Sequence, residues 1–318
     1  MKDQASLPLL AQDARLKTQD SRLKTQSSRL TTHPLFPPLV IFSLIILAWY
    51  GFAAYFNLQY LNVHENDVDP TRWAHTSAWH KLIEAWSISQ PTMPTPVQAI
   101  GDFLNRLRQG YNPDNGLWID LFWTGRVAVF GFLLGTAIAI VLAILFLSSR
   151  ILARSLLPYV IVSQTVPIVA LVPPIMLTLG LGLRSEVIIS AYLAFFSITI
   201  SAYKGLQSVD PLAFELMRSY AARPWQVFLK LRLPAALPFV FTGMKVGVTA
   251  SLVGAIIAEL PSGSAHGLGQ SLVQASEYTD NIWLWSTMLS AACLGLFLYG
   301  VVVLLERLIV RWRVEEAA

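Results

Sequence analysis

Charge is scarce in this sequence. Asp, Glu, Lys and Arg make up 13% of its 318 residues, about half the share usual in a soluble domain. Cysteine is scarcer still. The single Cys293 sits inside an apolar block, so no disulfide can form within the chain, and no Cys/His zinc pattern is present. No Gly-x-x-x-x-Gly-Lys-Ser/Thr run occurs, so the chain has no phosphate-cradling loop of its own. Period-two strand alternation is also missing. None of the five histidines lies in an apolar block, and no nucleophile–base pair or carboxylate cluster does either. Those gaps argue against an enzyme embedded in the membrane and leave no catalytic or metal-ligating residue to nominate. No inverted repeat is visible, which argues against a carrier driven by an ion gradient.

What the chain has in abundance is apolar length. Hydrophobic residues reach 54%, and they come in blocks at roughly 39–56, 121–147, 155–179, 186–204, 239–260 and 283–305. A helix needs about 20 apolar residues to cross hydrocarbon. Within hydrocarbon the backbone must satisfy itself, so each block is expected to be helical. The sequence therefore reads as an all-α polytopic membrane protein with about six transmembrane helices. The first block follows 38 residues and no small-residue cleavage site trails it, so it is read as a retained span, not a signal peptide.

The net charge of +4 suggests nucleic acid only until the basic residues are mapped. Six lie before the first block. Others lie in the connections at 148–155 (Arg150, Arg154) and 204–238 (Lys204, Arg218, Arg223, Lys230, Arg232), and after the last block. The short connections on the other side hold only Arg184. The positive-inside rule puts both termini in the cytoplasm and 57–120 outside. The organisation is then a disordered cytoplasmic tail over 1–38, a first transmembrane helix over 39–56, an extracytoplasmic segment over 57–120, and a core over 121–318 carrying a cytoplasmic loop at 205–238. The tail holds a seven-residue tandem repeat from Arg15 with Leu16, Leu23 and Leu30 in register. One apolar position per heptad is too few for a coiled coil, so the tail reads as polar and unfolded, with basic residues facing anionic lipid. In the outer segment Thr95-Pro96 announces a short amphipathic helix.

The 208–247 stretch carries the most information. Asp210-Pro211 starts a helix, Pro224 stops it, a second short helix fits Trp225–Arg232, and the prolines of Leu233–Pro238 are expected to break the chain before the next span. Held between two spans, such a helix–turn–helix could pass force from a soluble partner to the membrane helices, or simply connect them.

The run Glu215-Leu-Met-Arg-Ser-Tyr-Ala-Ala-Arg-Pro224, followed by Leu-Pro-Ala-Ala-Leu-Pro238 and Gly243-Met-Lys-Val-Gly247, resembles the "EAA" loop of binding-protein-dependent ABC importer permeases. Glu215 matches the family's Glu, Leu216 and Met217 replace its two Ala, and Ala221 replaces its Gly. The resemblance runs from about residue 95 to the end, through Gln164-Thr-Val-Pro167, Gly180-Leu-Gly182, Ala258-Glu259 and Gly267-Leu-Gly269, and looks most like the nitrate/sulfonate/taurine/bicarbonate branch. It implies a type I importer permease fold in a bacterial inner membrane. It implies as partners a dimer of ABC ATPases that binds the ATP, a second permease subunit, identical or different, and an extracytoplasmic substrate-binding protein. The implied coupling residues are Glu215, Leu216, Met217, Arg218, Ala221 and Pro224. The cargo stays open between a small anion and a pyrimidine-type vitamin precursor.

Polar residues inside the spans are the candidates for the passage, because charge and polarity at membrane depth usually face protein or water. Gln164 and Thr165 stand beside Pro167, which frees a carbonyl and permits a kink. Thr242, Ser251 and Glu259 complete the set, with helix packing as the competing role for the two hydroxyls. Lys245 and Arg126 are expected to snorkel toward the membrane surfaces.

Overall fold

The computed structural model describes residues 36–68, 75–110 and 116–311. The tandem-repeat tail lies outside them. Every regular element described is helical. The chain forms two compact units, Met1–Pro96 and Val97–Ala318. In the first, α1 (Phe36–Val68) packs on the short α2 (Ala78–Ser87). Asn57, fully buried on α1, clamps both α2 and the strand-free segment beyond it. Its Nδ2 donates to the carbonyls of Ala85 at 2.8 Å and Met93 at 3.0 Å, and its Oδ1 accepts the Met93 N–H at 3.1 Å.

The second unit opens with α3 (Pro96–Arg108), at the start that Thr95-Pro96 announces. Long helices follow: α4 (Leu117–Ser148), α7 (Leu183–Gln207) and α12 (Asn281–Ile309). Between α4 and α7 run α5 (Arg150–Ser163) and α6 (Ile168–Leu179). After α7 come α8 (Pro211–Ser219), the short α9 (Pro224–Val227), α10 (Leu233–Glu259) and α11 (Leu268–Glu277). Among the described residues five helices are long and apolar enough to cross a membrane, or six if α5 and α6 count as one broken span.

Two expectations about prolines need correcting. The block at 155–179 is not one bent helix, because α5 and α6 meet at 101° across residues 164–167. Pro167, with its nitrogen unable to donate, starts α6 in an extended conformation (ψ 115°). The carbonyl of Ser163 at the end of α5 accepts from the Tyr192 hydroxyl of α7 at 2.6 Å, which pins the break. Conversely, Pro234 and Pro238 do not break the chain. Residues Pro224–Glu259 run as one helical stretch of 36 residues. A π-helical turn over Phe228–Arg232 widens the helix just before Pro234. The wider turn accommodates a pyrrolidine ring that would otherwise strike the carbonyl one turn back.

The centre of the second unit is α7, flanked by α4 and α10. Val127, Phe132, Ala139, Ala194, Ile198, Val248 and Ala255 form its apolar core. Lipid tails are as apolar as leucine, so close packing of small residues holds such helices together. A Cβ at Gly135 of α4 would lie 2.8 Å from the Ala191 carbonyl, and one at Gly254 of α10 would lie 2.8 Å from the Ser190 Cα. The three backbones also share a polar stitch. Ser190 donates to the Ser251 carbonyl at 2.8 Å, and the Ser251 hydroxyl reaches the Ala128 carbonyl.

Candidate functional site

The helix α8 and its closing turn stand at the end of the bundle where α4 and α7 finish, which is also the end richest in Lys and Arg. Asp210 caps α8, its Oδ1 accepting the Leu212 N–H at 2.9 Å, with Pro211 in the first helical position. The other end closes as a Schellman motif. The Ala222 N–H donates to the Met217 carbonyl at 3.0 Å and the Ala221 N–H to the Arg218 carbonyl at 2.9 Å. Ala221 takes the left-handed position of that motif, at φ 51°. Glycine is usual there because a Cβ in this conformation costs about 1 kcal/mol or more. Arg223 then starts α9, its N–H donating to the Gln226 Oε1 at 2.8 Å.

Glu215, Leu216, Arg218, Ala221 and Pro224 are exposed, and Met217 is half-buried. No ion pair joins Glu215 to Arg218. Sequence reasoning missed the most conspicuous surface of α8. Leu212, Leu216 and Tyr220 recur every four residues, so they share one side of the helix, and they are 72%, 56% and 77% exposed. The i, i+4, i+8 spacing was the available signal. The result is a short helix capped at both ends, with an exposed apolar ridge beside an acid that forms no ion pair among the described residues.

The residues proposed for a passage separate into two groups. Gln164 and Thr165 occupy the turn between α5 and α6, exposed, with the Thr165 Oγ1 donating to the Val162 carbonyl at 2.7 Å. Thr242 is exposed on α10 and donates to the Pro238 carbonyl at 2.8 Å. Ser251 is fully buried in the stitch between α4, α7 and α10. Glu259 is also fully buried, at the far end of α10.

Glu259 helps hold the N-terminus of α11. Its Oε2 accepts from the Thr124 hydroxyl at 2.9 Å and from the Gly269 N–H at 2.8 Å. The Thr124 oxygen accepts the Leu268 N–H at 2.8 Å, and Asp120 accepts the Gly267 N–H at 2.9 Å and the Ser271 hydroxyl at 2.6 Å. Free N–H groups and the positive end of the helix dipole thus meet two carboxylates and a hydroxyl. The approach is so close that a Cβ on Gly269 would lie 2.4 Å from the Ile256 carbonyl. Asp120 and Thr124 were not legible beforehand, since more than 130 residues separate them from the groups they bind.

Neither basic residue expected to snorkel stands alone. The Arg126 guanidinium lies over the Trp123 ring at 4.0 Å. Lys245 forms an ion pair with Glu306 of α12.

Comparison with known proteins settles what this scaffold is. Residues 131–314 match the family model described as the binding-protein-dependent transport system inner membrane component. The chain belongs to this family. The permease is 29% identical to the formylaminopyrimidine transport permease ThiX of Halalkalibacterium halodurans, over 74% of this chain and 91% of that one. It is 29% identical to the nitrate import permease NrtB of Synechocystis sp., over 72% and 83%. Its fold is also similar to that of an amino acid ABC transporter solved with histidines (TM-score 0.50, 16% identity, 70% of this chain and all of that one). The chain is a permease subunit of an ABC importer, in the branch that includes nitrate permeases, and it is a transport component of a larger complex.

Proposed function

We propose that the permease couples ATP hydrolysis on a separate ATPase dimer to passage of a small solute, with α8 as the element that docks into the ATPase. The observation that carries this reading is the doubly capped α8 with its exposed ridge Leu212–Leu216–Tyr220 and the unpaired Glu215. ATP binds to the ATPases, not to this chain. A second permease subunit completes the path, and a binding protein outside the cell delivers cargo. Both termini and the 205–238 loop face the cytoplasm. Gln164, Thr165, Pro167 and Thr242 line the path, while Ser251 and Glu259 hold the helices that shape it. The relatives named for formylaminopyrimidine and nitrate bracket the cargo as a small polar solute, and the binding protein makes the choice.

The experiment uses the reconstituted importer carrying Glu215→Ala or Ala221→Leu. Losing an acid buried against a partner costs about 3–5 kcal/mol, whereas losing a solvated surface acid costs near zero. Both variants should insert normally, lose most cargo-stimulated ATP hydrolysis, and co-purify poorly with the ATPase. Wild-type stimulation and stoichiometry in both would make the loop a mere connector.

A further inference from the structure

The helix α8 is seated loosely. It has no buried residue, whereas α11, one residue longer, buries Leu268, Gly269, Ser271 and Ala275. Between α8 and the ends of α4 and α7 lie two adjoining, partly open spaces of about 480 and 430 Å³. The inner residues Ala213, Phe214 and Met217 are accordingly only half-buried. A helix that stands off its bundle in this way gains little from apolar packing. The root of α10 is the opposite case. Ala236 is 1% exposed and packs with Ala143 of α4 and with Ala202 and Leu206 of α7, and Phe228 of the π turn lies against them. A Cβ on Gly205 of α7 would lie 2.7 Å from the Cβ of Phe239. Packing of that density transmits a displacement instead of absorbing it.

The side chain of Arg232 crosses from the fixed part to the loose part. Arg232 ends the π turn, and its guanidinium carbon lies 5.5 Å from the centre of the Phe214 ring of α8. That distance is within the reach of a cation–π contact. Long side chains lean toward the N-terminus of their own helix, which from the root of α10 is the direction of α9 and α8. A planar guanidinium also stacks on a ring, as an ammonium does not. Arg232 forms no ion pair among the described residues. Phe214 follows Leu212 by two residues, and at about 100° per residue it falls on the far side of α8 from the ridge Leu212–Leu216–Tyr220.

We propose that Arg232 is a positioning residue for coupling. Its stack on Phe214 is a strut that holds α8 at a fixed angle to the root of α10. A displacement of α8 by the ATPase then reaches the 36-residue helical stretch that ends at Glu259. The proposal rests on α8 being the docking element. Without the strut, α8 would swing on its connections into the space behind it, and the displacement would be lost there.

The test has two arms. The first uses the full permease alone in detergent, with Cys293→Ser and a nitroxide on Ser219→Cys, at an exposed residue ending α8. Arg232→Gln and Phe214→Leu, which alter separate elements, should each raise the mobility of the label. The pair together should raise it no more than either alone. Phe214→Tyr keeps the ring and should behave as wild type. The second arm uses the importer reconstituted with its ATPase and binding protein. Arg232→Gln and Phe214→Leu should co-purify with the ATPase in wild-type proportion, because the ridge is untouched. They should lower cargo-stimulated ATP hydrolysis about two- to fivefold, the factor that a partly exposed cation–π contact is worth. Phe214→Tyr should keep the wild-type rate. Failure of the docking reading shows in Glu215→Ala, whereas failure of the strut shows in the label, which needs no ATPase. Unchanged mobility in both variants, or additive effects in the pair, overturns the strut. Raised mobility with unchanged stimulated hydrolysis overturns its part in coupling. Loss of co-purification also overturns it, and would assign Arg232 to the ATPase surface.

Discussion

Ala221 stands where the helix-ending motif asks for a left-handed residue, and the chain complies at φ 51°. The compliance is enforced by two hydrogen bonds that close the turn and by Pro224, which cannot extend the helix. Ala221→Gly would relieve about 1–2 kcal/mol of steric cost and lose about 0.5–1 kcal/mol to the freer unfolded chain. The net, between about 0 and 1.5 kcal/mol, should raise amide-exchange protection of 211–224 by up to about tenfold. Hydrogen-exchange mass spectrometry of the purified permease reads this directly. Lower protection would mean that the turn stores less strain than the freer unfolded chain costs. The sequence exposed the question, because Ala stands at a Gly position of the resembled loop, but it left open whether the turn is left-handed. Backbone geometry depends on what the flanking N–H groups find to bind.

At the scale of elements, α10 is tied at three heights. Its N-terminal end enters through the π turn, its middle pairs Lys245 with Glu306 of α12, and its far end offers Glu259 to the start of α11. The ion pair is the tie most open to test. Removing one member of a buried pair costs at most about 3–5 kcal/mol, while replacing both with apolar residues of similar volume is often neutral. Lys245→Met or Glu306→Met alone should therefore lower the thermal stability of the purified permease markedly, and the double variant should recover most of it. A double variant as unstable as the sum of the singles would show that the two side chains act independently. Composition alone suggested a snorkelling lysine, since nothing in the sequence marks two residues 61 positions apart as neighbours.

Over the second unit, most basic residues collect where α4 and α7 end and α5 and α8 begin, with Arg106, Arg108, Arg126 and Arg184 elsewhere, and the opposite end carries the carboxylates that cap α11. The topology prediction rests on that asymmetry. In a Cys293→Ser background, Arg223→Cys should react with a membrane-impermeant thiol reagent only after the cells are opened. Tyr278→Cys, at an exposed residue after α11, should react in intact cells. The reverse pattern would invert the molecule and remove α8 from the ATPase's side.

That the chain folds as an all-helical bundle with five or six helices apolar enough to span a membrane was set by the sequence itself. Hydrocarbon thickness and backbone satisfaction leave an apolar block of some 20 residues little choice but a helix. The start of α8 at Asp210-Pro211 is equally local, since a cap and a proline act on their own backbone. Tertiary structure decided the rest. It turned the block around Pro167 into two helices meeting at 101°, carried the chain through Pro234 and Pro238, and buried Glu259 against Thr124 and Gly269. A proline removes one donor wherever it stands. At Pro167 the freed Ser163 carbonyl accepts from the Tyr192 hydroxyl of α7, a partner that only the packed bundle brings near.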